Sequence, residues 1–165
     1  MLENMKGFDM RLVTLFLVIF GFSGNSLLAQ DRAMVVLDAS GSMWGQVDGT
    51  TKMEIARDAV RDLFNKWEIA GNVDAGLTAY GHRRKGDCTD IELLSGVGPV
   101  NGSKISGLLS GLQPRGKTPL SDAVVQAAEA MRYEETKATV ILVSDGIETC
   151  GGDPCEVGKR LEAAG

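Results

Sequence analysis

The chain has no basic stripe, no repeated unit, no Cys-x-x-Cys pair, no apolar run of membrane-spanning length, and a single histidine, His82. Each shortage removes a class of function. With a formal net charge of −5 and a pI near 4.9, it lacks the electrostatic footprint of a nucleic-acid binder. Its longest basic cluster, His82-Arg83-Arg84-Lys85, reads as a solvated loop. One histidine without a convincing Ser or Cys partner supplies no nucleophile–base pair, so catalysis is not expected. The missing Cys-x-x-Cys pairs argue against a zinc site built from the three cysteines and His82. What remains is a chain of 165 residues, 44% hydrophobic and 24% charged, enough for one globular domain with a real core.

The N-terminal part has a different composition. Leu12 to Phe22 is apolar, the more polar SGNSLLA follows, and Gln30-Asp31 comes next, the shape of a signal peptide cleaved after Ala29. Residues 1–29 are therefore expected to be a leader and residues 30–165 the mature domain. Glu3 and Asp9 are out of place ahead of such a run, whereas a start at Met10 gives the leader the Met-Arg opening that the pattern asks for. The run is shorter than the ~18–20 residues of a spanning helix, so membrane contact is expected only if this segment is retained. Export to a periplasmic or extracellular setting makes Cys88, Cys150 and Cys155 disulfide candidates. Cys150 and Cys155 share a Gly-rich loop that can close on itself, or Cys88 can reach either of them. The odd count leaves one thiol over.

Along the presumed mature chain, Ala33 to Asp38 is an apolar strand. Thr51-Lys52-Met53-Glu54 has the form of a capping box, and Met53, Ala56, Val60, Leu63, Phe64 and Trp67 follow at helical spacing, predicting a helix over 52–67. Val73 to Tyr80 is a second strand. Thr89 to Ser95 follows too closely for a parallel crossover and is expected as a short antiparallel edge strand, with Gly96 to Gly102 as loop. Ser103 to Leu112 is helical, and Thr118-Pro119 opens another helix with proline at its first position. Ala138 to Val143 is a third apolar strand, and Pro154 to Ala164 a last helix. The order predicts an α/β fold: an open, mostly parallel, Rossmann-like sheet with helices on both faces and one antiparallel edge strand. Gly165 is a helix C-cap of the kind that leads back into a strand, so the domain is expected to be incomplete at its C-terminus, with the last strand or strands missing.

Two chemistries compete for the same residues. Gly111 to Thr118 spells GxxxxGKT, the phosphate-cradling P-loop of a nucleotide hydrolase, with Asp145 as its acidic partner. That motif must follow a strand, and here a helix precedes it. In the second reading, Asp38, Ser40, Ser42, Thr118 and Asp145 converge from three loops on one divalent cation, all of them hard oxygen donors. Asp38-x-Ser40-x-Ser42, then Gly116-Lys117-Thr118-Pro119-Leu120, then Val143-Ser144-Asp145-Gly146, resembles the metal-ion-dependent adhesion site of von Willebrand factor A domains over residues 33 to 165. The stretches Ala79 to Cys88 and Glu148 to Cys155 resemble bacterial exported members.

The resemblance implies that Ser40, Ser42 and Thr118 bind the metal through their hydroxyls and Asp38 and Asp145 mainly through water. One coordination position then stays open for an acidic side chain of a protein partner. With only two carboxylates, the donor set favours Mg²⁺ over Ca²⁺, with Mn²⁺ a further alternative. Trp44, His82 and Arg83 are the candidate partner contacts. The expected function is a non-enzymatic, cation-dependent binding module; a P-loop hydrolase, or a structural domain of this family with a non-functional site, is the alternative. Neither nucleic acid nor nucleotide is an expected partner.

Overall fold

The structure, a computed structural model, describes residues 31–164; the expected leader, residues 1–29, and Gly165 lie outside them. The chain runs through strand β1 (Asp31–Asp38), a 3₁₀ turn (Gly41–Trp44), the two-residue strands β2 (Gln46–Val47) and β3 (Thr50–Thr51), and helix α1 (Lys52–Ala70). Strands β4 (Val73–Tyr80) and β5 (Ile91–Pro99) come next, then helices α2 (Gly102–Gly111) and α3 (Leu120–Ala130), strand β6 (Thr139–Val143) and helix α4 (Pro154–Ala164).

The main sheet has the order β5-β4-β1-β6. β1 pairs in parallel with β4 and β6, and β5 is antiparallel to β4. Because β1 is covered on both faces, its apolar run is continuous rather than alternating. Val35 and Leu37 join Val60, Phe64, Ile105 and Leu109 from α1 and α2. Met34 and Val36 join Tyr80 and the α3 residues Leu120, Ala123 and Ala127, together with Met131 just beyond that helix. All four β1 side chains are fully buried. In register, Asp38 stands beside Tyr80 and Leu37 beside Val143, so the loops that leave β1, β4 and β6 emerge at one edge. In an open α/β sheet this is the ligand-binding edge.

Helix α1 begins at its capping box: Glu54 N donates to Thr51 Oγ1 at 3.2 Å, and Thr51 N donates to Glu54 Oε2 at 3.0 Å. Two expectations are corrected. The antiparallel edge strand is not short; it continues through Gly96-Val97-Gly98 to Pro99. Irregular pairing with β4, between Ala75 and Leu77 and again between Leu77 and Thr78, carries the Gly-rich end along the sheet, and Pro99 sits at the terminus, where a missing N–H is tolerated. Thr118 does not cap α3: the helix starts at Leu120, and Pro119 occupies the cap position, which carries no side-chain cap. β6 is half-buried, with β1 on one side and no strand on the other among the described residues. No described helix is long and apolar enough to cross a membrane.

Candidate metal centre

Two glycines bring three loops together. Gly81, after β4, has a φ of +70°, and a Cβ there would lie 2.6 Å from the Lys117 carbonyl oxygen; a Cβ at Gly116 would lie 2.8 Å from the Arg84 carbonyl oxygen. Only glycine permits this crossing. Backbone hydrogen bonds fix it. Gly116 N and Arg115 N donate to the Gly81 carbonyl at 2.7 and 3.0 Å, and Gly41 N donates to the Gly116 carbonyl at 3.0 Å. Ser40 and Gly116 thereby form a parallel bridge that delivers the Lys117-Thr118 segment to the end of β1.

The same contacts remove the nucleotide reading of residues 111–118. That string follows α2 rather than a strand, and the N–H groups of Arg115, Gly116 and Thr118 are all donated to acceptors within the chain. A phosphate cradle needs such groups free.

Asp38, Ser40 and Thr118 are buried at this edge, at 0%, 1% and 4% exposure. Asp38 Oδ1 accepts from Ser40 N at 2.7 Å, and its Oδ2 accepts from Ser144 Oγ at 2.7 Å. Behind Ser144, the Tyr80 hydroxyl donates to its Oγ at 3.3 Å. Burial, reinforced by the Asp38 carboxylate, pushes the Tyr80 phenol far up, so it remains a donor. In front, Ser40 Oγ and Ser42 Oγ are hydrogen-bonded at 3.0 Å, and Ser42 Oγ donates to Asp145 Oδ1 at 2.8 Å. Thr118 reaches the same space: a Cβ at Gly146 would lie 3.5 Å from Ser42 Oγ and 3.9 Å from Thr118 Oγ1. The absent Gly146 side chain leaves a cradle lined by hydroxyls. Hydroxyls at such a space, hydrogen-bonded through Ser40 and Ser42 to the carboxylates of Asp38 and Asp145, make a donor set of the kind a hard divalent cation takes. No group of three or more His, Cys, Asp or Glu placed to hold a metal is found among the described residues.

Two members of this cluster escape sequence reasoning. Lys52, the first residue of α1, donates from Nζ to Asp145 Oδ2 at 2.6 Å. Burial alone would raise the Asp145 carboxyl, but hydrogen bonds from Lys52 and Ser42 and the Lys52 charge hold it below the ordinary carboxylate range. Ser144 is the other. It lies inside a quoted motif, yet only the fold turns its hydroxyl onto Asp38.

The remaining candidates are placed as follows. Trp44 is 55% exposed beside Ser42, and its indole N–H donates to the Pro114 carbonyl at 2.8 Å, which fixes the ring. His82 and Arg83 are committed within the chain: His82 Nε2 lies 2.9 Å from Glu92 Oε2, while Arg83 pairs with Asp90 at 2.6 Å and with Glu92 at 3.2 Å. Asp90 is fully buried. Burial would raise its carboxyl, but the Arg84 and Arg83 N–H groups and the Arg83 guanidinium outweigh that and hold it low. Cys88 and Cys150 form the disulfide, joining the loop after β4 to the loop after β6, and Cys155 is an exposed free thiol. With two of the cysteines bonded to each other, the zinc reading fails.

Doubly wound sheet, glycine-crossed loops and an oxygen-lined edge define a class. The chain belongs to the von Willebrand factor type A domain family, whose model matches residues 33–148. Among curated relatives, protein YwmD of Bacillus subtilis (strain 168), described as uncharacterized, is 30% identical over 145 residues, covering 82% of this chain and 64% of YwmD. Its counterpart YwmC is 28% identical over 141 residues, or 81% of this chain and 62% of YwmC. The chain thus spans less than two thirds of either relative. Among solved structures, the vWF domain of the type V pili tip protein Mfa5 from Porphyromonas gingivalis matches with a TM-score of 0.58 at 21% identity, covering 72% of this chain and 38% of that one. The PilB minor pilin from Streptococcus sanguinis matches with a TM-score of 0.57 at 18% identity, covering 72% and 30%. At these identities the likeness is one of fold.

Proposed function

We propose that this chain is an exported, non-enzymatic adhesion-type module that captures an acidic side chain of a protein partner through a divalent cation, Mg²⁺ in the first instance. The observation that carries the proposal is the linkage of Asp38, Ser40, Ser42 and Asp145 in one run of hydrogen bonds, with the Ser42 and Thr118 hydroxyls flanking the space left by Gly146. Ser40, Ser42 and Thr118 would hold the cation, with Asp38 and Asp145 supplying the compensating charge. A cation bound by neutral hydroxyls and two carboxylates keeps residual positive charge, which is what attracts a further carboxylate. Two exposed apolar side chains flank the cluster in sequence, Trp44 after Ser42 and Ile147 after Asp145. They offer contact area to a partner whose acidic residue has apolar neighbours. The occurrence of this fold in a pilus tip protein and a minor pilin supports an adhesive role at a cell surface.

Thermal melting with Mg²⁺, Ca²⁺ or EDTA tests the reading. At a hundred times its Kd, a ligand adds about 2.7 kcal/mol of stability, so Mg²⁺ is expected to raise Tm by several degrees. Asp38→Ala should abolish the shift and Lys117→Ala should retain it. A wild-type chain whose melting ignores every divalent cation would refute the proposal.

A further inference from the structure

We infer that Lys52 is a built-in counter-cation of the metal centre: its ammonium holds Asp145 in place when the cation is absent and opposes the cation when it binds. The inference rests on the metal reading above and adds a regulator to it. Asp38 and Asp145 bring two negative charges to one sheet edge, linked by the chain Asp38–Ser40–Ser42–Asp145. Two like charges at one edge disfavour each other, and a neighbouring positive charge relieves that cost. Lys52 Nζ supplies that charge at 2.6 Å from Asp145 Oδ2. Asp145 is mostly shielded, with its side chain 11% exposed, whereas that of Lys52 is 36% exposed. The lysine therefore has room to withdraw toward water, and the aspartate does not.

The position of the ammonium is built in. Lys52 N donates to the Gly45 carbonyl at 2.8 Å, which anchors the start of α1 to the 3₁₀ turn carrying Ser42. A Cβ on Gly45 would lie 3.2 Å from Lys52 Cε and 3.5 Å from Nζ. The lysine stem thus crosses the face of Gly45 to reach Asp145. A divalent cation held by Ser40, Ser42 and Thr118 would draw on the same Asp145 carboxylate that the Lys52 ammonium already pairs with, and the two are like charges. Loading the site would weaken the Lys52–Asp145 pair at the first residue of α1. Metal affinity is thereby held below what the five oxygen ligands alone would give.

The test is calorimetric titration of Mg²⁺ into the full chain and its Lys52→Met and Lys52→Gln variants at low and high salt, with metal-free Tm measured alongside. Both variants are expected to melt lower than wild type without metal and to bind Mg²⁺ about tenfold more tightly, as removal of one unit charge near a partly shielded site implies, with the gain shrinking as salt screens it. Lys52→Gln keeps a hydrogen-bond donor on a stem one atom shorter, so it reports on charge even if Lys52→Met folds poorly. Unchanged or weaker Mg²⁺ binding in the variants, with wild type binding normally, overturns the role given to Lys52 and leaves the metal centre standing. Absence of Mg²⁺ binding in wild type and variants alike overturns both.

Discussion

On one side of β1 lies β4, buried from Ala75 to Tyr80 and covered by α1 and α2, with its following loop pinned through Gly81 to Gly116. On the other lies β6, half-buried at Val140, Ile141 and Val143 and exposed at Thr139 and Leu142, beside an α4 in which no residue is buried. The candidate ligands are divided unequally across this line. Asp38 ends β1 and Ser40 and Ser42 follow it; Thr118 is delivered by the crossing on the β4 side and bonded to Thr149 of the loop after β6, and Asp145 comes from that same loop. The difference shows where the site's weak member is. Asp145 itself is held by side-chain bonds from Ser42 and Lys52, and its loop by the paired Thr118–Thr149 hydrogen bonds and the disulfide.

The disulfide offers the strongest way to break this arrangement. Cys88 and Cys150 are 62 residues apart in sequence, and for a closed loop of that size the chain-entropy account gives a stabilisation of roughly 4 kcal/mol. Melting in reductant, or of Cys88→Ser, should lower Tm sharply, with hydrogen exchange rising first in residues 144–153. Equal protection of β4 and β6 after reduction would contradict the asymmetry.

Asp90 probes the firm side. Asp90→Asn is expected to cost about 2–3 kcal/mol at neutral pH, the scale for disrupting charge-assisted hydrogen bonds to a buried carboxylate. Since the folded carboxyl is held below its unfolded value of about 3.9, its contribution is complete above that pH. It is lost as pH falls through the folded value. Wild type should therefore lose stability in acid more steeply than Asp90→Asn in parallel denaturant titrations.

The smallest expected effect sharpens the comparison by applying one substitution to both flanks. Val36 is fully buried in β1 and Val140 half-buried in β6, and both belong to the core facing α3. Val36→Ala should cost about 2 kcal/mol and Val140→Ala less than about 1, since truncation costs scale with the contacts removed. Urea unfolding of the two variants decides it; equal values would mean that β6 is as tightly packed as β1.

Much of this architecture is legible in the chain, because continuous apolar runs and helical periodicity are local signals. β1, α1 and α4 emerge close to their predicted bounds, and the three motif loops do meet at one edge. The misses have nonlocal causes. β5 hides its second half behind glycines that resemble a turn until β4 is laid beside them. Thr118 looks like a helix cap because Thr-Pro usually is one, whereas its segment is claimed by Ser40 and Gly81. His82 and Arg83 resemble a free basic patch, yet Asp90 and Glu92 stand close by in sequence and hydrogen-bond to them; that spacing is the signal that reveals the pairing. Lys52 offers no such clue, since its partner is 93 positions away.

The placement of β1 also has a mechanical consequence. It is the first described strand, and it lies between two parallel neighbours, aligned with β4 from Asp31 to Asp38 and with β6 from Ala33 to Leu37. A pull on the chain at Asp31 runs along the strand axis. It loads these hydrogen bonds in shear, where they must fail together, rather than peeling them apart one after another. A molecule held from this end would carry tension through its most deeply buried strand, while the candidate metal edge stands at the opposite end of that strand, in line with the force.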